Sequence, residues 1–264
     1  MERTLSILRK IRDAARLLAR GQWRRLLRAA RLRLHSDYTC LGVRRDARIP
    51  FQAPPASIPI TVRPLAPGDD LSLLEADTPG LSANVAFTRL RTARLLQSGI
   101  STCFVAIGPD GTPCHLQWLI TAKDNAKVRA EFGGLFPALE PDQAMIEGAY
   151  TPERYQRLGV MAEATARVAS HAPEFGARWV IGFTEEDSHP SLKAAKRAGF
   201  RPYLRRVESW RLFRHRITFI PLAEGTPFPF ERQPAGAAAD PTRASRVASP
   251  ERWATPGSKT TDRE

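Results

Sequence analysis

The chain has 264 residues and a net charge of +13, enough length for one substantial core with appendages. It contains no apolar run of ~18 residues, which excludes a membrane-spanning helix, and arginines interrupt the N-terminus where a secretory signal would need an apolar stretch. Three cysteines (Cys40, Cys103, Cys114) in no ligand spacing and five scattered histidines argue against a disulfide framework or a metal site and for a reducing cytoplasm.

The charge is concentrated at one end. Residues 1–35 hold eleven Lys or Arg against Glu2 and Asp13, a balance of +9, which leaves +4 for everything else. Within 4–20, Ile7, Leu8, Ile11, Ala14, Ala15 and Leu18 recur at helical spacing. Gly21 interrupts, and Trp23, Leu26, Leu27, Ala30 and Leu34 carry a second basic helix. Two readings stay open: a helical surface lying on anionic lipid, or a hairpin packed on the domain or a second subunit. Nucleic-acid binding is the weaker reading, because no recognition motif accompanies the arginines.

Prolines 50, 54, 55, 59, 64 and 67 punctuate a link, within which Ile58-Pro-Ile-Thr-Val-Arg predicts a strand. Asp69 and Asp70 predict a helix start before Leu71, Leu73 and Leu74. A helix is predicted over 83–97. Residues 102–107 and 114–121 flank Pro109-Asp110-Gly111 as a β-hairpin. After a looser segment (124–142), residues 144–151 predict a strand and 159–171 a helix. Residues 178–184 predict another strand. Ser188 is placed to cap a helix that carries Pro190 in its first turn and closes at Gly199. One or two strands over 202–220 follow, and from about residue 232 the composition predicts a disordered tail. The order is that of an α/β protein with a mixed, mostly antiparallel sheet flanked by helices. The predicted division is a basic helical extension over 1–48, an α/β domain over 49–222 and a disordered tail over 223–264.

Tyr150-Thr-Pro-Glu-Arg-Tyr-Gln-Arg-Leu-Gly-Val-Met161 is the most informative stretch. It runs from a strand through a polar turn into a helix that opens at Gly159. That arrangement aims backbone N–H groups and the positive end of a helix dipole at one spot, which suits a phosphate or diphosphate. A glycine there leaves room for an anion to approach the backbone.

Gln156-Arg157-Leu158-Gly159-Val160-Met161 and the later Asp187-Ser-His-Pro-Ser-Leu-Lys-Ala-Ala-Lys-Arg-Ala-Gly-Phe200, in this order and each after a predicted strand, resemble the GNAT acetyltransferase family over about residues 58–220. The first motif matches the family's acyl-CoA diphosphate loop, Q/R-x-x-G-x-G/A, at Gln156 and Gly159 and departs from it at Met161. The resemblance implies binding of acetyl-CoA as co-substrate through Tyr150, Thr151, Gln156, Arg157, Leu158, Gly159, Val160, Met161 and Ser191. It also implies direct transfer of the acetyl group to a primary amine, with no covalent enzyme intermediate and no metal.

In such a transfer the amine loses a proton, the thioester carbonyl is polarised and the thiolate departs. The family polarises the carbonyl with a backbone N–H of the strand before the loop. Glu147, the one acidic residue of that strand, is the candidate base. Relatives place a tyrosine acid five residues before the Gly-Phe phenylalanine; here that position is Ala195. The acidic run Glu185-Glu186-Asp187 reads as a solvated loop, and strand packing accounts for His115 and Trp118 better than acceptor contact does. The expected acceptor is an amino sugar, another small molecule or a peptide. Two alternatives are a GNAT-like protein that binds without catalysis and transfer of a long acyl chain at a membrane surface. The expected location is the cytoplasm, with residues 1–35 suited to the inner membrane surface; oligomeric state is left open.

Overall fold

The computed structural model describes residues 31–75, 80–100 and 102–231. The predicted basic helices fall outside the described residues up to residue 30, and so does the predicted tail from 232. The described chain falls into two compact units. The larger is built from 39–206 and 219–231, the smaller from 31–38 and 207–218.

The sheet has eight strands in the order β2-β3-β4-β5-β6-β1-β7-β8. They are β1 (His35–Asp46), β2 (Thr61–Pro64), β3 (Cys103–Ile107), β4 (Pro113–Thr121), β5 (Gln143–Tyr150), β6 (Trp179–Glu185), β7 (Arg201–Arg211) and β8 (Arg214–Pro221). The helices are α1 (Ala83–Gln97), α2 (Asn125–Phe132), α3 (Val160–Ser170) and α4 (His189–Arg197). Mixed strand directions follow from the connections: the β3–β4 hairpin is antiparallel, while β5 and β6, joined through α3, are parallel.

In the larger unit, β4 lies between β3 and β5 and is buried along nearly its whole length. Its alternate residues divide between the two faces. Leu119 joins Ala166, Val168, Leu192 and Phe200 in the core under α3 and α4. Trp118 and Ile120 pack with Leu95 of α1 and with Val128 and Phe132 of α2. Each helix thereby buries one apolar stripe against the sheet, the main source of stability in such a layered fold.

Several expectations are corrected. Residues 35–46 are strand, not part of a helical extension through 48, and Cys40 to Asp46 pair with β6. This strand accommodates a buried guanidinium: Arg45 donates to the carbonyls of Ala166 (3.1 Å) and Ala198 (3.2 Å) and to Ser170 Oγ (3.3 Å). The negative ends of α3 and α4 thus hold a cation, and burial lowers its pKa from the ordinary guanidinium value.

The Asp69–Asp70 pair starts only a 3-10 turn over Ser72–Leu74. Asp69 is committed to Arg63 (2.5 and 2.8 Å) and to the N–H of Ala66 (2.7 Å), and the Arg63 hydrogen bond holds its pKa at about 2. The looser segment contains α2. Residues up to 231 do not belong to a tail starting at 223: Phe228 is buried in the main core and Pro229–Glu231 form a 3-10 turn.

Helix α4 ends as its sequence predicts. The N–H of Gly199 donates to Lys196 and that of Phe200 to Ala195, and Gly199 sits at φ +84°. These two bonds form a Schellman cap. At the other end Ser188 occupies the N-cap position but caps no N–H with its side chain; its hydroxyl donates to Ser191 Oγ instead (3.0 Å).

In the smaller unit, β7 and β8 are joined by a two-residue turn, Leu212-Phe213, with φ of +47° and +65°. Two successive positive φ values are the requirement of a type I′ hairpin turn. The turn's N–H groups donate to the carbonyls of Leu34 (2.9 Å) and Arg33 (2.8 Å).

Candidate functional site

Strands β5 and β6 run side by side only from Gln143↔Trp179 to Ile146↔Gly182. Beyond that pair β5 continues to Tyr150 on β4 and β6 continues to Glu185 on β1. The two facing edges therefore carry no ladder bonds to one another, and an opening forms between parallel strands.

At the same level β5 carries a bulge: Trp118 faces Glu147 and Leu116 faces Tyr150, so Gly148 and Ala149 oppose the single residue Gln117. Gly148 has φ +67°, and a Cβ there would lie 2.6 Å from Leu95 Cδ2. Only glycine fits, and the bulge turns the backbone beside the opening.

Glu147 stands next to the bulge on the α1 side. Its Oε1 accepts from Arg91 Nη2 at 2.7 Å, and its side chain is 11% exposed. Oε2 has no partner among the described residues. One carboxylate oxygen is thus fixed and the other is available.

From Tyr150 the chain enters the turn that leads to α3. The Tyr150 ring is buried with Leu74, Val105 and Leu116, and its hydroxyl accepts from Arg89 Nε (2.9 Å). Thr151 Oγ1 lies 2.7 Å from His115 Nδ1, and the Thr151 carbonyl accepts from Gln156 Nε2 (3.2 Å). His115 is buried, with no hydrogen-bond partner for Nε2 among the described residues, and burial pushes its pKa down to about 4. A neutral imidazole therefore supports the start of the turn.

Arg157 (φ +65°) and Gly159 (φ +81°) both take the left-handed conformation, and α3 starts at Val160. The first helical bonds come from the N–H groups of Ala162 and Glu163 to the Gly159 carbonyl. The five preceding N–H groups, 157 to 161, find no acceptor among the described residues. Unsatisfied donors at a helix start form a ready anion site. Leu158 and Val160 pack inward, Gln156 and Arg157 are exposed, and Met161 is half-buried on the first turn.

The structure supplies a second reason for Gly159. A Cβ there would lie 3.2 Å from Ala56 Cα, because the proline-punctuated link crosses the turn as a strap. The strap is pinned by Ser57 N–H to the Leu158 carbonyl (2.7 Å) and by Ala56 N–H to Glu163 Oε2 (2.6 Å). Glu163 is held in turn by Arg167 (2.5 Å).

None of these strap contacts was read from the sequence. The i, i+4 spacing of Glu163 and Arg167 signals only the ion pair within α3 that holds Glu163. Arg197 was missed as well. Its Nη2 lies 3.7 Å from where a Gly159 Cβ would stand, and it forms no ion pair among the described residues.

Arg197 also borders a pocket of about 550 Å³ with Phe51, Gln52, Pro54, Lys193, Lys196 and Phe230. Lys196 is ion-paired to Glu231. Ser191 sits apart from the turn's N–H groups in sequence, bonded to Ser188 in the first turn of α4. Ala195 is buried in the core. No group of three or more His, Cys, Asp or Glu suited to a metal ion occurs among the described residues.

A family model described as an acetyltransferase (GNAT) domain matches residues 60–201, more than half of the chain. The chain belongs to the GNAT acetyltransferase family. Its GNAT domain thus begins just before β2 and ends at the start of β7, leaving β1, most of β7 and β8 outside the matched span.

No curated protein matches the chain. Among solved structures, a GCN5-related N-acetyltransferase from Sphaerobacter thermophilus is 14% identical, with a TM-score of 0.42, covering 76% of this chain and 57% of that one. A GNAT-family acetyltransferase from Colwellia psychrerythraea is 13% identical, with a TM-score of 0.41 and coverages of 71% and 57%. A GCN5-related N-acetyltransferase from Kribbella flavida is 14% identical, with a TM-score of 0.37 and coverages of 74% and 61%. The chain spans less than two thirds of the length of each.

Proposed function

We propose that the protein is an N-acetyltransferase that moves the acetyl group of acetyl-CoA to a primary amine of a small molecule, amino sugar or peptide. The observation that carries this reading is the run of five unclaimed N–H groups, 157 to 161, at the start of α3 beside the opening between β5 and β6. A diphosphate suits those donors, with Arg197 beside them as a counter-charge. The pantetheine arm suits the unpaired strand edges, because an amide-bearing chain satisfies backbone groups that a ladder would otherwise hold.

In this reading the thioester lies beside the bulge at Gly148, where a backbone N–H polarises its carbonyl. The amine approaches from the α1 side and gives its proton to Glu147 Oε2, while Arg91 holds the other oxygen. The amine nitrogen bonds to the carbonyl carbon, the C–S bond breaks, and the thiolate takes a proton from solvent. Solvent is the donor assigned because Ala195 carries no hydroxyl. Tyr150 is bonded to Arg89, and Tyr155 to Thr112 and Asp110.

Calorimetric titration of the full chain with acetyl-CoA tests the first half, and thiol release across a panel of amines tests the second. No binding at millimolar cofactor by folded protein would sink the proposal. Ala195 favours a second reading, a GNAT-like protein that binds the cofactor without turning it over. Binding without thiol release across a broad amine panel would select it.

A further inference from the structure

The smaller unit presents an apolar hairpin tip and five exposed arginines. Leu212 is 75% exposed, Phe213 57% and Leu34 44%, and the hydrogen bond from Leu212 N–H to the Leu34 carbonyl places them together. Arg31, Arg33, Arg211, Arg214 and Arg216 are all exposed in the same unit, against Asp37 and Glu208. Arg211 is held by Asp37 at 2.8 and 2.9 Å, and Arg33 lies over the Trp210 ring, itself stacked on His215.

Hairpin folding does not account for the tip. A two-residue turn with both φ values positive is served best by Asn-Gly, and side chains as large as Leu and Phe oppose it. Burial does not account for it either, since both side chains face solvent.

We propose that this hairpin tip is a membrane-contact site for anionic phospholipid, with Leu212 and Phe213 entering the headgroup–acyl boundary and the arginines meeting lipid phosphates. Three exposed apolar side chains are too few for a protein interface, which needs about 800 Å² per partner with a core depleted of charge. An exposed apolar tip in a unit with five exposed arginines against two acids is what an anionic bilayer surface matches. The proposal does not depend on the acetyl-transfer reading.

The test is flotation of the full chain with vesicles of phosphatidylcholine plus phosphatidylglycerol and with vesicles of phosphatidylcholine alone. It compares the protein with Leu212→Asn/Phe213→Gly, which removes the apolar side chains while giving the turn its preferred residues. Circular dichroism and thermal melting confirm that the variant folds. The expected result is flotation of the protein on anionic vesicles only, with apparent affinity at least roughly tenfold lower in the variant. Undiminished binding by the variant overturns the proposal and assigns binding to other basic residues. Failure of the unmodified protein to float overturns it too. So does a variant whose oligomeric mass changes while its flotation does not, which would make the tip a contact with a second copy.

Discussion

The turns at 157–159 and at 212–213 use the same backbone conformation for different ends. In the first, Gly159 takes φ +81° where a Cβ would press on the strap, so the residue suits the fold. What does not suit it is the row of N–H groups left without acceptors. In the second, both turn N–H groups are satisfied by carbonyls of residues 33 and 34, and the side chains are what the fold does not need. A folded chain tends to satisfy its donors and bury its apolar groups, so departures from that pattern are where to look for ligands. The first turn departs in its backbone and points to an anion; the second departs in its side chains and points to an apolar phase.

The largest expected effect breaks the first half of this comparison. Gly159→Glu places a carboxylate among donors suited to a phosphate and should abolish acetyl-CoA binding in a calorimetric titration. Gly159→Ala separates the two roles of the glycine. It should lower stability by about 1–2 kcal/mol, through strain at positive φ and contact with Ala56, while leaving the N–H groups in place. If the folded alanine variant binds as weakly as the glutamate variant, the anion's close approach needs the glycine as well; unimpaired binding would leave the strap and the backbone conformation as its reason.

Next in size is Glu147→Gln, which keeps the hydrogen bond to Arg91 possible but removes the base. The turnover number should fall by roughly 10²–10⁴, with acetyl-CoA affinity unchanged. An unchanged turnover number on an accepted amine would remove Glu147 from the chemistry.

A third prediction concerns what lies beneath the first turn. His115 stays neutral in the folded protein down to about pH 4, whereas in the unfolded chain it protonates near its ordinary value of about 6.5. Between those values the unfolded state binds more protons, so its contribution is fully present above about pH 6.5 and is lost as pH falls toward 4. The loss should reach about 3 kcal/mol at the acid end. Denaturant melts of His115→Asn should show a flatter pH dependence over that window; an unchanged slope would place the acid sensitivity elsewhere.

The second half of the chain was legible because its signals are local. Gly159 and Gly199 mark a helix start and stop, and the strands before them are short apolar runs. Strand β1 was not legible, because Arg44 and Arg45 break the apolar pattern that marks a strand. What makes Arg45 acceptable inside is a pair of helix ends more than a hundred residues away. Helix α2 carries only Val128 and Phe132 as buried residues, too few to show a period. In the candidate site the turn was readable, but the strap across it and the Arg91 clamp on Glu147 join residues 107 and 56 positions apart. No window on the sequence spans such contacts.

The smallest expected effect sharpens the comparison from the other turn. If Leu212 and Phe213 are kept for what they touch rather than for the fold, replacing them should make the fold more stable. Asn and Gly adopt positive φ with little or no Cβ penalty, and the Leu212→Asn/Phe213→Gly turn should gain up to about 1–2 kcal/mol, read as a rise in the thermal midpoint. The N–H bonds to residues 33 and 34 are backbone bonds and survive the change. The opposite result, a lower midpoint, would mean that the two side chains hold the hairpin together. Their exposure would then be a packing choice, and the contrast with the turn at Gly159 would lose its meaning.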